Sequence, residues 1–199
     1  MGSYILIFVA YLLGSVPVGV LLARMKGADP RKVGSGNIGA TNVMRAAGKT
    51  TGALTLVGDI LKGLLPVVVA FVMGEPVRVV AAVGLAAFLG HLFPLFLRFK
   101  GGKGVATALG VYLALDPFAV VISMTLFVLV LLKWRFVSLG SLVGVAAMPL
   151  LLYLLNAPNY YIYLALIIGT LIFIKHKDNI RRLLAGAEDK IGRSKESGK

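Results

Sequence analysis

Seven apolar stretches separated by short polar segments take up most of this chain: Ser3–Ala23, Gly52–Met73, Val77–Leu97, Gly104–Leu115, Pro117–Leu132, Phe136–Leu155 and Tyr160–Ile174. A stretch of about 20 apolar residues has the length to cross a bilayer as a helix. Hydrophobic residues make up 58% of the 199, well above the level of soluble domains. The expected fold is an all-α integral membrane protein, a single bundle of about seven transmembrane helices over residues 1–187. A polar C-terminal tail, expected to fray, follows over 188–199. The first stretch has no basic residue ahead of it and more spans after it, so it reads as a first helix rather than a cleaved signal.

Charge sets the topology. The fourth stretch is too short for a full crossing and the fifth is slightly short; Asp116-Pro117 divides what would otherwise be one long apolar run. If the chain enters and returns there, residues 24–51, 98–103, 133–135 and 175–199 share one side and hold nineteen of the 21 lysines and arginines. The positive-inside rule therefore favours a hairpin, with the N-terminus outside, the C-terminus cytoplasmic and a short fourth helix.

The net charge of +13 then belongs to cytoplasmic loops facing anionic lipid headgroups, and nucleic acid is excluded as a partner. There is no cysteine, which excludes disulfides, thiolate nucleophiles and cysteine metal sites, and two histidines speak against a histidine-rich metal site; no metal is expected.

Three polar runs at the basic face carry the chemistry. The first is Gly34-Ser35-Gly36-Asn37-Ile38-Gly39-Ala40-Thr41-Asn42-Val43-Met44-Arg45. Gly34-x-Gly36-x-x-Gly39 matches the dinucleotide fingerprint literally, but a membrane span on each side removes the βαβ context that fingerprint needs. Glycines that let the backbone approach an anion, with a guanidinium beside them, suit a phosphate instead. Asn37 is placed to cap a helix from Ile38, which sets Thr41 and Arg45 on one face.

The second run is Phe99-Lys100-Gly101-Gly102-Lys103-Gly104-Val105-Ala106-Thr107, just ahead of the short fourth helix. It is not a Walker loop, yet it offers free N–H groups and the Lys103 ammonium. In the third, Lys175-His176-Lys177-Asp178-Asn179-Ile180-Arg181-Arg182-Leu183, His176 and Asn179 fall on one helical face. Three anion-type sequences at one face point to one composite site for more than one phosphate.

Two charges, Asp59 and Lys62, lie inside the second stretch, three residues apart. Lone charges there are expensive, so the pair reads as structural. His91 reads as a satisfied bundle residue, and Glu188 as a residue that ties down the tail.

GSGNIGATNVMR, FKGGKGVAT and KHKDNIRRLLAGAE, in this order, together with LGSVPVGVLLAR and GDILKG, closely resemble the bacterial acyl-phosphate:glycerol-3-phosphate acyltransferase family (PlsY). The resemblance spans most of residues 11–190; only the Lys-His-Lys-Asp opening of the third piece departs mildly. It implies transfer of a fatty acyl group from acyl phosphate to the 1-hydroxyl of glycerol 3-phosphate, giving lysophosphatidic acid and phosphate without any cofactor. It further implies an inner-membrane enzyme with its active site at the cytoplasmic face, membrane lipids around it, and an acyl-phosphate-producing enzyme as a partner. By motif, Ser35 and Arg45 match essential positions, Gly101, Gly102, Gly104 and Lys103 the glycerol-phosphate loop, His176 and Asn179 important positions, and Glu188 a structural one.

No Ser-His-acid arrangement is offered by the motifs, so Ser35 is expected to donate a hydrogen bond rather than attack, in a direct transfer without an acyl-enzyme. Ser35 and Lys103 would hold the acyl-phosphate head, and Arg45, His176 and Asn179 would orient glycerol 3-phosphate, whose own phosphate is favoured over His176 as base. The competing class is an organic-phosphate transporter. It would place charge at the midplane with repeat symmetry; only Asp59 and Lys62 speak for it.

Overall fold

The computed structural model describes residues 2–191. Among the described residues every regular element is helical: α1 (Gly2–Ser15), α2 (Val18–Arg24), α3 (Ala40–Ala47), α4 (Lys49–Val72), α5 (Val77–Leu92), α6 (Val105–Leu115), α7 (Pro117–Trp134), α8 (Val137–Leu154), α9 (Asn159–Lys175) and α10 (Lys177–Leu184), with short 3-10 turns at Pro30–Lys32 and Leu95–Leu97.

Each of the seven apolar stretches is helical, but they are not seven uniform rods. Five segments are long and apolar enough to cross a membrane: Gly2–Arg24, Lys49–Val72, Val77–Leu97, Pro117–Trp134 and Val137–Leu154. α9 and α10 meet the same measure only when taken together across a bend of 61°, and α6 is shorter, at 11 residues. The first stretch is broken where one helix was expected, because Pro17 has no N–H to continue α1. Asp116 and Pro117 start a new helix: the Asp116 carboxylate accepts from the Ala119 N–H at 2.9 Å and Pro117 occupies the first helical position.

Helices meet through small residues. A Cβ on Gly14 would strike the Ala87 backbone, one on Gly63 the Thr107 carbonyl and one on Gly110 the Ile60 carbonyl. Such close approach is how membrane helices gain packing contacts without a hydrophobic drive between them. Phe88, Leu92, Leu152, Ile168 and Ile172 fill the centre, while Phe8, Val57, Leu129 and Tyr163 are exposed at the perimeter, as a lipid-facing belt requires.

Ser3 Oγ donates to Glu75 at 2.9 Å and Tyr11 OH to the Phe93 carbonyl at 2.7 Å, so α1 and α5 run in the same direction side by side. The four basic linkers gather at one end. Lys103 reaches Asn179, Ser138 reaches Glu188, Arg135 Nη2 reaches the Ile191 carbonyl, and Arg45 reaches Asp189. The parity inferred from charge therefore agrees with which segments touch.

Candidate active site

The first polar run is organised by a residue that sequence reasoning passed over. Asn42, on α3 and 2% exposed, donates from Nδ2 to the carbonyls of Pro30, Val33 and Asn37 at 2.7, 3.0 and 2.8 Å. Its Oδ1 accepts the Ser35 N–H at 3.1 Å. Three carbonyls on one side and one N–H on the other fix which end of the amide is which. The chain around Ser35 is thus wound about one carboxamide, and Gly34, at φ 58°, lies so near Asn42 Oδ1 that a Cβ would overlap it.

The expected Asn37 cap is corrected. The helix starts at Ala40 with Gly39 at its N-cap and no side-chain cap bond. Ile38, 4% exposed, lies in a stretch without regular structure ahead of α3. Thr41 and Arg45 do share an exposed face of α3, and Ser35 and Gly36 are exposed beside it. Arg45 Nη1 lies 3.4 Å from Asp189.

The second and third runs are joined directly. Lys103 Nζ donates a short hydrogen bond to Asn179 Oδ1, and Asn179 Nδ2 donates to Glu188 Oε1 at 2.6 Å. Ser138 Oγ donates to the same oxygen at 2.6 Å, and Arg182 Nε donates to Glu188 Oε2 at 2.7 Å. Glu188 is therefore a hub rather than part of a fraying tail: the segment through Ile191 straps across this end, with the Ile191 N–H donating to the Arg135 carbonyl at 2.8 Å. Residues 192–199 of the expected tail lie outside the described residues. Ser138, Arg182 and Asp189 complete the arrangement. Arg182 lies inside the third run; a serine at the start of an apolar span was the available signal for Ser138.

Electrostatics follow burial. Burial pushes the Lys103 ammonium below its usual range and Arg182 adds to this, while Glu188 opposes it. Burial works against ionisation of Glu188, but hydrogen bonds from Ser138, Asn179 and Arg182 outweigh it and hold the carboxyl below its usual range. His176 sits at the bend between α9 and α10, 3% exposed, with Nδ1 2.8 Å from the Ile172 carbonyl. Burial pulls it down to about 4; the Ile172 carbonyl and Glu188 oppose this and Lys103 adds to it. At neutral pH the ring is uncharged, with its Nδ1 proton donated to Ile172.

Gly101, Gly102 and Gly104 pack the turn that carries Lys103 against α5, where Cβ atoms would strike the His91 carbonyl, the His91 ring and Phe88; at φ 86° only glycine suits Gly104, which opens α6. Asp59 and Lys62 stand apart, buried and paired at 2.8 Å. No cluster of three or more metal-ligating side chains occurs among the described residues.

The lysine, asparagine and carboxylate network lies beside an arginine and two glycine-rich turns at one end of the bundle, and its chemistry suits anionic groups. Comparisons with known proteins show the family. Residues 4–186 match the family model described as glycerol-3-phosphate acyltransferase. The chain is 53% identical over 185 residues to a glycerol-3-phosphate acyltransferase of Geotalea daltonii, covering 93% of this chain and 95% of that protein. It is 50% identical over 190 residues to the enzyme of the same name from Geobacter sulfurreducens, covering 96% and 98%. The crystal structure of PlsY (YgiH), an integral membrane glycerol 3-phosphate acyltransferase in its glycerol 3-phosphate form, superposes with a TM-score of 0.93 at 43% identity, covering 96% of each chain. A lysophosphatidic acid form of PlsY superposes at 0.91. With family, sequence and fold in agreement over nearly the whole length, the chain belongs to the glycerol-3-phosphate acyltransferase family.

Proposed function

We propose that this protein transfers a fatty acyl group from acyl phosphate to the 1-hydroxyl of glycerol 3-phosphate, releasing lysophosphatidic acid and inorganic phosphate. The observation that carries the reading is the hydrogen-bonded chain Lys103–Asn179–Glu188, which joins two glycine- and cation-bearing motifs at the end where Ser35 and Arg45 are exposed. Both substrates carry phosphate, and the donor is already activated, so neither ATP nor a cofactor is needed.

In the proposed step the glycerol oxygen forms a bond to the acyl carbonyl carbon, the carbon–oxygen bond to phosphate breaks, and phosphate leaves with the electron pair. Lys103, held in place by Asn179, and the amides of the 101–104 turn stabilise the charge on the departing phosphate. Ser35 donates a hydrogen bond to the acyl-phosphate head. Arg45 takes the glycerol phosphate in exchange for Asp189. The hydroxyl proton goes to the substrate's own phosphate, whose second pKa near 6 makes it a stronger base than a buried His176 at about 4. His176 and Asn179 therefore act by shaping the bend between α9 and α10 and by holding Lys103.

The orientation in the membrane belongs to the same proposal: N-terminus outside, basic end and active site cytoplasmic, in the bacterial inner membrane, with the lipid tail left in the bilayer. There an acyl-phosphate-producing enzyme can deliver the donor. The test is direct. Purified protein is incubated with palmitoyl phosphate and glycerol 3-phosphate, and both lysophosphatidic acid and free phosphate are followed. Equimolar release of the two is expected. No product, with glycerol 3-phosphate flux into proteoliposomes, would replace the enzyme with a transporter. An isolable acyl-Ser35 adduct would overturn direct transfer.

A further inference from the structure

The buried pair Asp59–Lys62 does not end with itself. Lys62 Nζ also donates to the Val16 carbonyl at 3.1 Å, at the break between α1 and α2. Asp59 Oδ1 lies 2.8 Å from Lys62 Nζ and 3.6 Å from His91 Nδ1, just beyond hydrogen-bond reach, so His91, 3% exposed, is not the satisfied bundle residue expected: its Nδ1 has no hydrogen-bond partner and faces the Asp59 carboxylate. His91 in turn grips the turn that carries Lys103. Its carbonyl accepts the Gly102 N–H at 3.2 Å, and its Nε2 edge fills the space a Cβ on Gly102 would occupy. Gly102 is not among the glycines with positive φ, so its backbone conformation suits any residue. What forbids a side chain at Gly102 is the imidazole.

We propose that Asp59, Lys62 and His91 are positioning residues for acyl transfer: a buried charge relay that fixes the ring of His91 and, through it, the backbone of the Gly101–Gly104 turn and the reach of Lys103. It links the α1–α2 break, α4 and α5 to a turn that has no regular structure of its own. Asp59 orients His91 through the ring nitrogen facing away from the turn. Lys62 pairs with Asp59 and ties it to the Val16 backbone. None of the three touches substrate. The inference rests on the reaction proposed above and assigns these charges a task beyond bundle stability.

A double-mutant cycle tests it, with kinetics for both substrates measured on detergent-purified His91→Ala, Gly102→Ala and the double variant. Gly102→Ala alone is expected to lower kcat about 100-fold or more. In the His91→Ala background, where the Cβ has room, the same change is expected to matter less than about fivefold. His91→Ala alone is expected to lower kcat, through the turn that stabilises the departing phosphate, with the KM for glycerol 3-phosphate changed less than about threefold. Equal losses from Gly102→Ala in both backgrounds would overturn the proposal, as would an effect of His91→Ala confined to the KM for glycerol 3-phosphate.

Hydrogen–deuterium exchange of Asp59→Asn gives a readout independent of activity and of how well His91→Ala folds. Faster exchange confined to 98–107, with α8 unchanged, is expected. Unchanged exchange in 98–107 would overturn the positioning role. An inactive wild-type protein would sink the reaction itself while leaving the exchange result to decide the relay.

Discussion

Changing Asn42 to aspartate alters one NH2 group to an oxygen and nothing in shape, yet it reverses the sign of every bond the side chain donates. Nδ2 has two hydrogens for carbonyls at 2.7, 3.0 and 2.8 Å, and Oδ1 accepts one N–H at 3.1 Å. Taking two donated bonds and one accepted bond at about 1 kcal/mol each, truncation to alanine removes about 2–4 kcal/mol of support for the Ser35 turn. Aspartate adds a buried carboxylate facing three carbonyl oxygens, so it is at least as damaging as alanine although it is isosteric. Since about 1.4 kcal/mol is a factor of ten, the expected fall in kcat/KM is about 30- to 1,000-fold for Asn42→Ala and no smaller for Asn42→Asp. The assay is phosphate release from palmitoyl phosphate in the presence of glycerol 3-phosphate, with the melting temperature followed in parallel. An Asn42→Asp enzyme within threefold of wild type, beside a crippled Asn42→Ala, would refute the idea that donated hydrogen bonds hold the turn.

Other outcomes follow from the same geometry. Glu188→Gln keeps the shape of the hub but removes the charge that Ser138, Asn179 and Arg182 all serve; with the group partly open to solvent, a loss of about 1–2 kcal/mol is expected, read as a lower melting temperature and about tenfold lower kcat/KM. His176 is pulled down to about 4 in the folded protein, whereas the unfolded chain takes up its proton near 6.5. Between those values only the unfolded state is charged, so stability falls as pH drops from about 6.5 towards 4, by up to about 3 kcal/mol. Thermal melts at pH 7.5 and 4.5 measure this. His176→Gln is expected to flatten that part of the profile, and an unchanged profile would mean that another group titrates there.

Much of this protein was legible before any coordinates. Apolar length and the placement of basic residues determined an all-helical membrane bundle, the short helix before Asp116-Pro117, and which linkers share an end. Those signals are local: a span must be apolar along its whole length, and charge asymmetry accumulates over each loop. The three polar runs were also visible, because clusters of glycine, asparagine and arginine stand out between apolar spans.

Tertiary structure decided what holds these runs together. A sequence shows that Asn42 is polar but not that four backbone groups converge on it, and it placed the cap at Asn37 by local propensity, whereas the helix starts at Ala40. Glu188 looked like the start of a tail; its partners come from α8 and α10, and only folding brings Ser138 within reach. Asp59 and Lys62 were recognisable as a pair from their spacing, a helical property. The third member, His91, and its grip on Gly102 arise where α4 and α5 pack against the 101–104 turn. Contacts between distant segments depend on how helices cross, and no period or motif along the chain encodes that crossing.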